Sequence, residues 1–281
     1  MSIQDITIVI ASFKSEKKIK NCLNSIDKQA KVLVIENSNN SSFKENLEKE
    51  FNNVECILSG SNIGYGSANN IGLKRVKTKH ALILNPVTTL HPSALENFVK
   101  ATKKISDFAI MAPYIQEEKD KLNKNKLENI LPVEVKNVKG FAMFLNISEF
   151  KEIGFFDESF FFYFEEIDLC KRLNNFGKKI YLIPEIKIDH GGGASHDESI
   201  NTEMELSRNW HWMWSTFNFH KKYKGYLISL FIVFPKLISA IFKIIFYSIF
   251  TNKNKKNIYY YRYLGLINAI IGKNSWYRPK V

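Results

Sequence analysis

Apolar and polar positions repeat with two periods along the first two hundred residues. Ile6–Ala11 is a continuous apolar run and predicts a buried strand. Ser15–Ile26 then places Ile19, Cys22, Leu23 and Ile26 on one helical face. Val32–Ile35 reads as a second strand ending at Glu36-Asn37-Ser38, Phe43–Phe51 as a helix, and Val54–Leu58 as a third strand. Asn62–Val76 is a loop running into a helix, His80–Leu84 a strand ending at Asn85-Pro86, and Pro92–Lys104 a helix. This alternation predicts an α/β fold: a parallel, doubly wound sheet flanked by helices, with right-handed crossovers. Such sheets bind ligands at the carboxyl ends of their strands, near a switch in strand order. The polar residues at those ends are Ser12, Glu36-Asn37-Ser38, Asn62 onward and Asn85. Lys119–Glu128 is charged and low in complexity and predicts a surface excursion.

The pattern changes near residue 205. Gly225–Phe250 is strongly apolar and is bracketed by Trp210, Trp212, Trp214, Lys221, Lys222 and Lys224 before it and by Lys253, Lys255, Lys256 and Tyr259–Tyr261 after it. Aromatic and basic flanks around an apolar centre suit a membrane interface. Ser229, Lys236, Ser239 and Lys243 fall on one helical stripe, which suits a helix lying in the headgroup plane. A span and a buried helical hairpin are the alternatives, and Pro235 is expected to kink or divide the helix. Charge follows the same boundary. The chain carries a formal +12, yet no Asp or Glu follows Glu205, so the whole positive excess lies in residues 206–281. Two regions are expected: 1–205, and a helical membrane-associating 206–281. A basic tail this apolar fits an anionic lipid surface better than nucleic acid.

The other bulk features narrow the class. Hydrophobic content of 45% excludes global disorder. Cys22, Cys56 and Cys170 are far apart and fit buried thiols in a reducing compartment. The opening residues lack a basic leader and cleavage pattern, so they are read as leading into the first strand rather than as a signal peptide.

The densest chemistry lies in Gly154–Arg172, where Asp157, Glu165, Glu166 and Asp168 sit among phenylalanines and tyrosines. The last three open a helical pattern that stops at Gly177. Carboxylates in a first helical turn face the positive end of the macrodipole, which favours ionisation, and an ionised carboxylate against apolar walls is a candidate general base. A charge cluster on an ordinary surface helix is the other reading. The loop Asn62-Ile-Gly-Tyr-Gly-Ser-Ala-Asn-Asn is glycine-rich, but it lacks the third glycine of a dinucleotide fingerprint and does not follow the first strand. A nucleotide- or sugar-facing loop and a plain turn both fit it.

Taken in order, TIVIASFKSEKKIKNCLNSI, VLVIENSNNSS, NIGYGSANNIGLK, LILNPVTTLHPSAL, KGFAMFL, GFFDESFFFYFEEIDLCKRL and His190-Gly-Gly-Gly-Ala-Ser195 resemble family 2 glycosyltransferases, in particular the rhamnosyltransferase-like branch. The resemblance covers roughly residues 5–200. It implies a GT-A fold, a Rossmann-like and mostly parallel sheet flanked by helices. It implies sugar transfer from a nucleotide diphosphate sugar, dTDP- or UDP-linked, with inversion at the anomeric carbon. The acceptor it implies is a lipid-linked saccharide in glycan assembly at the cytoplasmic face of the inner membrane.

The resemblance also implies roles. Ala11, Ser12 and Phe13 lie along the nucleotide; Glu36 stands where the family usually has Asp and contacts base or ribose. Asn62, Gly64, Tyr65, Gly66, Asn69, Asn70 and Asn85 line the donor pocket. Glu165-Glu166 stands where the family has Glu-Asp, so Glu166 is the expected base, with Glu165 or Asp168 as substitutes. Asp157, Lys139 and Gly140 fall on the sugar or acceptor side, and His190 near the diphosphate or a metal.

One departure bears on the cofactor. The family's Asn-Pro-Asp metal motif reads Asn85-Pro86-Val87. Val87 cannot ligate, Asn85 offers a neutral oxygen, and Mg²⁺ and Mn²⁺ prefer charged oxygen ligands. A cation would rest on the diphosphate with His190, helped by Thr88 or Thr89. Weak metal dependence is expected, metal-free catalysis is a further reading, and a degenerate, nucleotide-sugar-binding member of the family is the alternative to an active transferase.

Overall fold

The computed structural model describes residues 2–114, 131–191 and 195–280, so the expected excursion at 119–128 lies outside the described residues. The described chain forms two compact units, residues 1–156 with 169–197, and residues 157–168 with 198–281.

The first unit is built on an eight-stranded sheet. Its strands are β1 (Ile6–Ser12), β2 (Lys31–Glu36), β3 (Val54–Leu58), β4 (His80–Leu84), β6 (Ile110–Pro113), β7 (Val133–Glu134), β8 (Ala142–Asn146) and β9 (Ile180–Ile183), and β5 (Thr88–Leu90) pairs apart from it with β10 (Ile188–His190). The sheet order is β3-β2-β1-β4-β8-β6-β9-β7. β1, β2, β3 and β4 are mutually parallel, as the apolar runs predict. β8 runs antiparallel to both β4 and β6, which the sequence does not signal: Ala142–Asn146 is buried throughout, and a buried run carries no mark of direction. The order reverses at β1, whose neighbours are β2 and β4, so the polar ends of those strands meet at the switch point.

Helices α1 (Glu16–Asn24), α2 (Ser41–Glu50), α3 (Tyr65–Leu73) and α4 (Ala94–Lys104) follow β1, β2, β3 and β5, each within a few residues of its expected span. Helix α3 lies so close to β1 that a Cβ on Gly72 would strike the Val9 side chain. That contact sets the depth at which the residues of α3 approach the strand ends.

The second unit is helical: α6 (Asn201–Lys224), α7 (Tyr226–Ile249) and α8 (Lys253–Ile270), around a core of Phe160, Trp210, Trp214, Phe217, Val233 and Leu266. The chain passes from one unit to the other within α5 (Glu165–Asn175). Pro235 does not divide α7, which is one continuous helix. The expected polar stripe is also redistributed. Ser229 is buried and bonds back to Gly225 O at 2.7 Å, and Lys243 reaches the Tyr259 hydroxyl of α8 at 3.2 Å. Ser229, Val233 and Ala240 form the inward face, whereas Leu227, Phe231, Phe234, Ile238, Phe242, Ile245 and Ile249 are exposed.

Candidate active site

The first unit gathers polar residues at the ends of β1, β2 and β4. Ser12 ends β1; its hydroxyl oxygen is buried and has no partner among the described residues, and the same holds for Asn69 Oδ1 on α3. Unpaired buried acceptors are expensive, so orphaned atoms at a switch point fit a polar ligand. Ala11 is buried beside Ser12 and Phe13 is half-buried.

Glu36 is fully buried, and both its oxygens are used. Oε1 accepts from the Ser38 amide at 3.0 Å and from the Ser38 hydroxyl, and Oε2 from the Asn40 amide at 2.6 Å. Its carboxylate therefore shapes the loop after β2. The neighbouring Asn37, absent from the expected site residues, joins that loop to the glycine-rich one. Its Oδ1 accepts from Ile63 N at 3.0 Å, and its Nδ2 donates to Asn62 Oδ1 at 3.1 Å and Gly64 O at 3.3 Å.

Asn62 Oδ1 accepts from Gly64 N at 3.2 Å, and Gly64, at φ 91°, turns the chain into α3 where a side chain would be strained. Gly66 is buried in the first turn of that helix. The Tyr65 hydroxyl donates to Gly140 O at 2.6 Å, which joins the glycine-rich loop to the turn carrying Lys139, itself exposed. Asn70 donates to Phe156 O at 2.9 Å and accepts from Phe156 N at 3.0 Å, so its amide orders backbone.

At the end of β4, Asn85 Oδ1 accepts from Val87 N at 3.1 Å, and Thr88, fully buried, donates to Asn85 O at 2.7 Å. Strand β10 brings His190 opposite Thr88, with Gly191 N bonded to Val87 O at 3.1 Å. The turn and the histidine that the sequence linked to a cation are thus adjacent. The ring of His190 lies 5.1 Å from that of Phe141, and burial together with the Lys139 charge holds its pKa below the ordinary imidazole value. Among the described residues no three His, Cys, Asp or Glu side chains gather to hold a metal. A bonded amide oxygen, an aliphatic side chain and one imidazole do not fit a protein-held divalent ion.

The second unit holds the acids. Tyr163 and Phe164 both have positive φ, 67° and 71°. Left-handed backbone in two successive aromatic residues costs on the order of 1–3 kcal/mol each, and such strain concentrates at functional sites. It turns the aromatic run directly into α5, whose first residues are Glu165 and Glu166.

Glu165 is buried, and its Oε2 has no partner among the described residues; burial, then the Glu166 charge, raise its pKa well above the ordinary value. Burial also raises Glu166. Desolvation therefore outweighs the helix terminus, which the sequence reading took to favour ionisation.

Asp168 differs. It is fully buried and accepts from Lys222 Nζ at 2.6 Å and from the Tyr223 hydroxyl at 2.7 Å. Lys222 also donates to Asp157 Oδ2 at 2.6 Å. Burial alone would raise the Asp157 carboxyl, but Lys222 and Ser159 bring it below the ordinary range. Sequence reading placed Lys222 among membrane-flanking lysines; its ammonium bridges two carboxylates. Glu165 and Glu166 are the acids of this unit whose pKa burial raises.

Comparison with known proteins agrees with this architecture. The model of the family "Glycosyl transferase family 2" matches residues 7–170. A low-salt glycan biosynthesis hexosyltransferase (Agl10) of Haloferax volcanii is 27% identical over 194 residues, covering 60% of this chain and 62% of that protein. The rhamnosyltransferase WbbL of Escherichia coli K12 is 27% identical over 247 residues, 75% of this chain and 91% of its own. Among solved structures, a Pyrobaculum calidifontis mannosyltransferase in complex with GDP-Man and Mn²⁺ superposes at a TM-score of 0.56 with 11% identity, covering 94% of this chain and 86% of that one. S. aureus TarS 1-349 gives 0.54 at 13% identity, over 97% and 93%. These establish the GT-A-like fold, and the chain belongs to glycosyl transferase family 2.

Proposed function

We propose that the chain is an inverting glycosyltransferase. It moves rhamnose or another hexose from a dTDP- or UDP-linked donor to a hydroxyl of a lipid-linked saccharide. Family membership and the names of the relatives support the reaction class. The observation that carries the chemistry is the pair Glu165 and Glu166, desolvated at the head of α5 while Asp168 is paired with Lys222.

Donor recognition is assigned to the first unit: Ser12, Phe13, the loop ordered by Glu36 and Asn37, and the glycine-rich segment from Asn62 to Asn69. Proton transfer is assigned to the second. A sugar hydroxyl is a poor nucleophile, so a base must take its proton as it attacks. Glu166 accepts that proton. The acceptor oxygen bonds to the anomeric carbon from the face opposite the leaving group, the bond to the diphosphate breaks, and the nucleoside diphosphate leaves with the electron pair. Burial raises the proton affinity of Glu166, and the Glu166 charge in turn raises that of Glu165, more deeply buried beside it. No step runs through a metal.

The location follows from α7. By length and composition this helix could cross a membrane, and only 17% of its most apolar window is buried. It packs along its length on its neighbours: the Tyr226 hydroxyl meets Ile270 O at 3.2 Å near one end, and Tyr247 stacks on Tyr259 near the other. Since α8 opens with Lys253, Lys255 and Lys256, we place α7 in the headgroup plane of an anionic, cytoplasmic-facing leaflet.

The test is turnover of a nucleotide-sugar panel by the purified chain in detergent, with Glu166→Gln as control. Loss of about 10²–10⁴-fold in the variant supports Glu166 as base. Donor binding without turnover by the wild type would favour the degenerate reading that Val87 suggests.

A further inference from the structure

The second unit contains a pocket that the reaction above does not use. It is open, about 280 Å³ in volume, and lined by Tyr163, Glu205, Arg208, Asn209, Trp212 and Arg262. We propose that it binds a diphosphate ester, the group that joins the acceptor glycan to its lipid; this rests on the glycosyltransferase reading.

The pocket is preorganised. A Cβ on Gly265 would run into the Trp210 carbonyl, so α6 and α8 cross in close contact one helical turn from Arg262. There Arg262 Nε donates to Asn209 Oδ1 at 2.6 Å, which fixes the plane of the guanidinium. Among the described residues its two Nη groups have no acceptor. Asn209 is held in turn by Glu205 O at 2.8 Å. Arg208 stands on the same wall. Each guanidinium carries the planar fork of donors that recognises phosphate oxygens in pairs, and the two come from different helices. Glu205 offsets one of the charges and leaves the lining net positive.

The remaining walls are aromatic. Tyr163 and Trp212 meet edge to face at 5.1 Å, and Trp212 stays 41% exposed, an apolar platform beside the anion site. Position gives the pocket its meaning. Tyr163 lies two residues before Glu165 and feels the charges of Arg208, Arg262, Glu165 and Glu166 together. A ligand anchored by its diphosphate here holds its sugar beside the carboxylates. The exposed apolar face of α7 belongs to the same unit.

The experiment uses the full-length chain with inorganic diphosphate and a short prenyl diphosphate as probes. Both are titrated by calorimetry against wild type, Arg208→Gln, Arg262→Gln and Lys273→Gln, the last removing a charge outside the pocket. About tenfold or greater weakening in both arginine variants, with Lys273→Gln at wild-type affinity, is expected. Equal affinity across all four proteins overturns the site. Phenylglyoxal labelling of wild type, mapped by mass spectrometry, needs no variant: diphosphate should shield Arg208 and Arg262, and unshielded arginines overturn the proposal. Vesicles with and without phosphatidylglycerol separate the sources. If the arginine variants lose vesicle binding but keep prenyl diphosphate, the pocket reads lipid headgroups and the acceptor assignment is wrong. Nucleotide-sugar turnover by wild type is measured alongside, so a failed pocket with intact turnover leaves the transferase reading standing.

Discussion

Lys222 Nζ lies 2.6 Å from Asp168 Oδ1, a carboxylate with no solvent exposure at all. Removing one partner of a buried pair strands the other charge. Lys222→Met should destabilise the helical unit by roughly 3 kcal/mol. Asp168→Asn in the same chain removes the stranded charge and should restore most of that loss. Denaturant melts of the two singles and the double check this; additive effects would mean the two groups are not energetically coupled.

Glu166 and Glu165 should behave differently on mutation. Glu166→Asp keeps a carboxylate but withdraws it by a methylene and should retain measurable turnover, whereas Glu166→Gln should not. Because burial raises the Glu166 pKa, the rate should climb with pH through a midpoint above the ordinary glutamate value of about 4.3. A rate profile whose midpoint does not lie above the ordinary glutamate value, or that does not depend on pH anywhere the protein stays folded, would remove Glu166 from the proton path.

The Glu165 carboxyl gives a stability signature of fixed sign. Its folded pKa is raised, so the native state binds its proton more tightly than the unfolded chain. Stability therefore falls as pH rises from the unfolded value, about 4.3, towards the folded one, and the penalty persists above it. Glu165→Gln should flatten that decline and melt higher than wild type at pH 7.5. Thermal melts of the two proteins across pH 4.5–8 are the measurement.

The apolar runs and turn residues made the parallel half of the sheet legible, since β1 to β4 are buried strands separated by amphipathic helices. The glycine-rich loop and the Glu165-Glu166 head of α5 were legible too, because a backbone that must turn and a cluster of acids among rings both leave marks in composition. What stayed hidden depends on contacts distant in sequence. Asn37 reaches Asn62 and Gly64 across 25 and 27 positions, and Lys222 reaches Asp168 across 54. Nothing local distinguishes Lys222 from Lys221 or Lys224. The stripe expected of Ser229, Lys236, Ser239 and Lys243 is split between a buried Ser229 and an exposed Lys236 and Ser239, because the facing of a stripe is set by the helices it packs against.

Val87 invites a gain-of-function test. It occupies the position of the missing metal-motif carboxylate, and His190 is already brought opposite Thr88 by the β5–β10 pairing. Val87→Asp adds a hard anionic oxygen beside an imidazole held neutral by burial. Turnover of the variant should acquire a Mn²⁺ requirement, and its Mn²⁺ affinity in the absence of donor should exceed that of wild type by about tenfold or more. An unchanged Mn²⁺ response would mean that the turn points away from the cation-binding position.

Membrane attachment makes a quantitative prediction at the exposed face of α7. Phe231 and Phe242 are 80% and 67% exposed and point away from the inward Ser229–Val233–Ala240 face. Burying a side chain of this kind is worth about 1.5–3 kcal/mol. Phe231→Glu or Phe242→Glu should thus lower partitioning into anionic vesicles by about tenfold or more each, with the melting temperature almost unchanged because neither ring contributes to the core. Replacing Lys253, Lys255 and Lys256 together should weaken binding to anionic vesicles and leave the residual binding to neutral ones intact. Charge and apolar area would then be separate contributions: one vanishes at high salt and the other persists. Equal binding of all these proteins to neutral and anionic vesicles would remove α7 from the membrane surface.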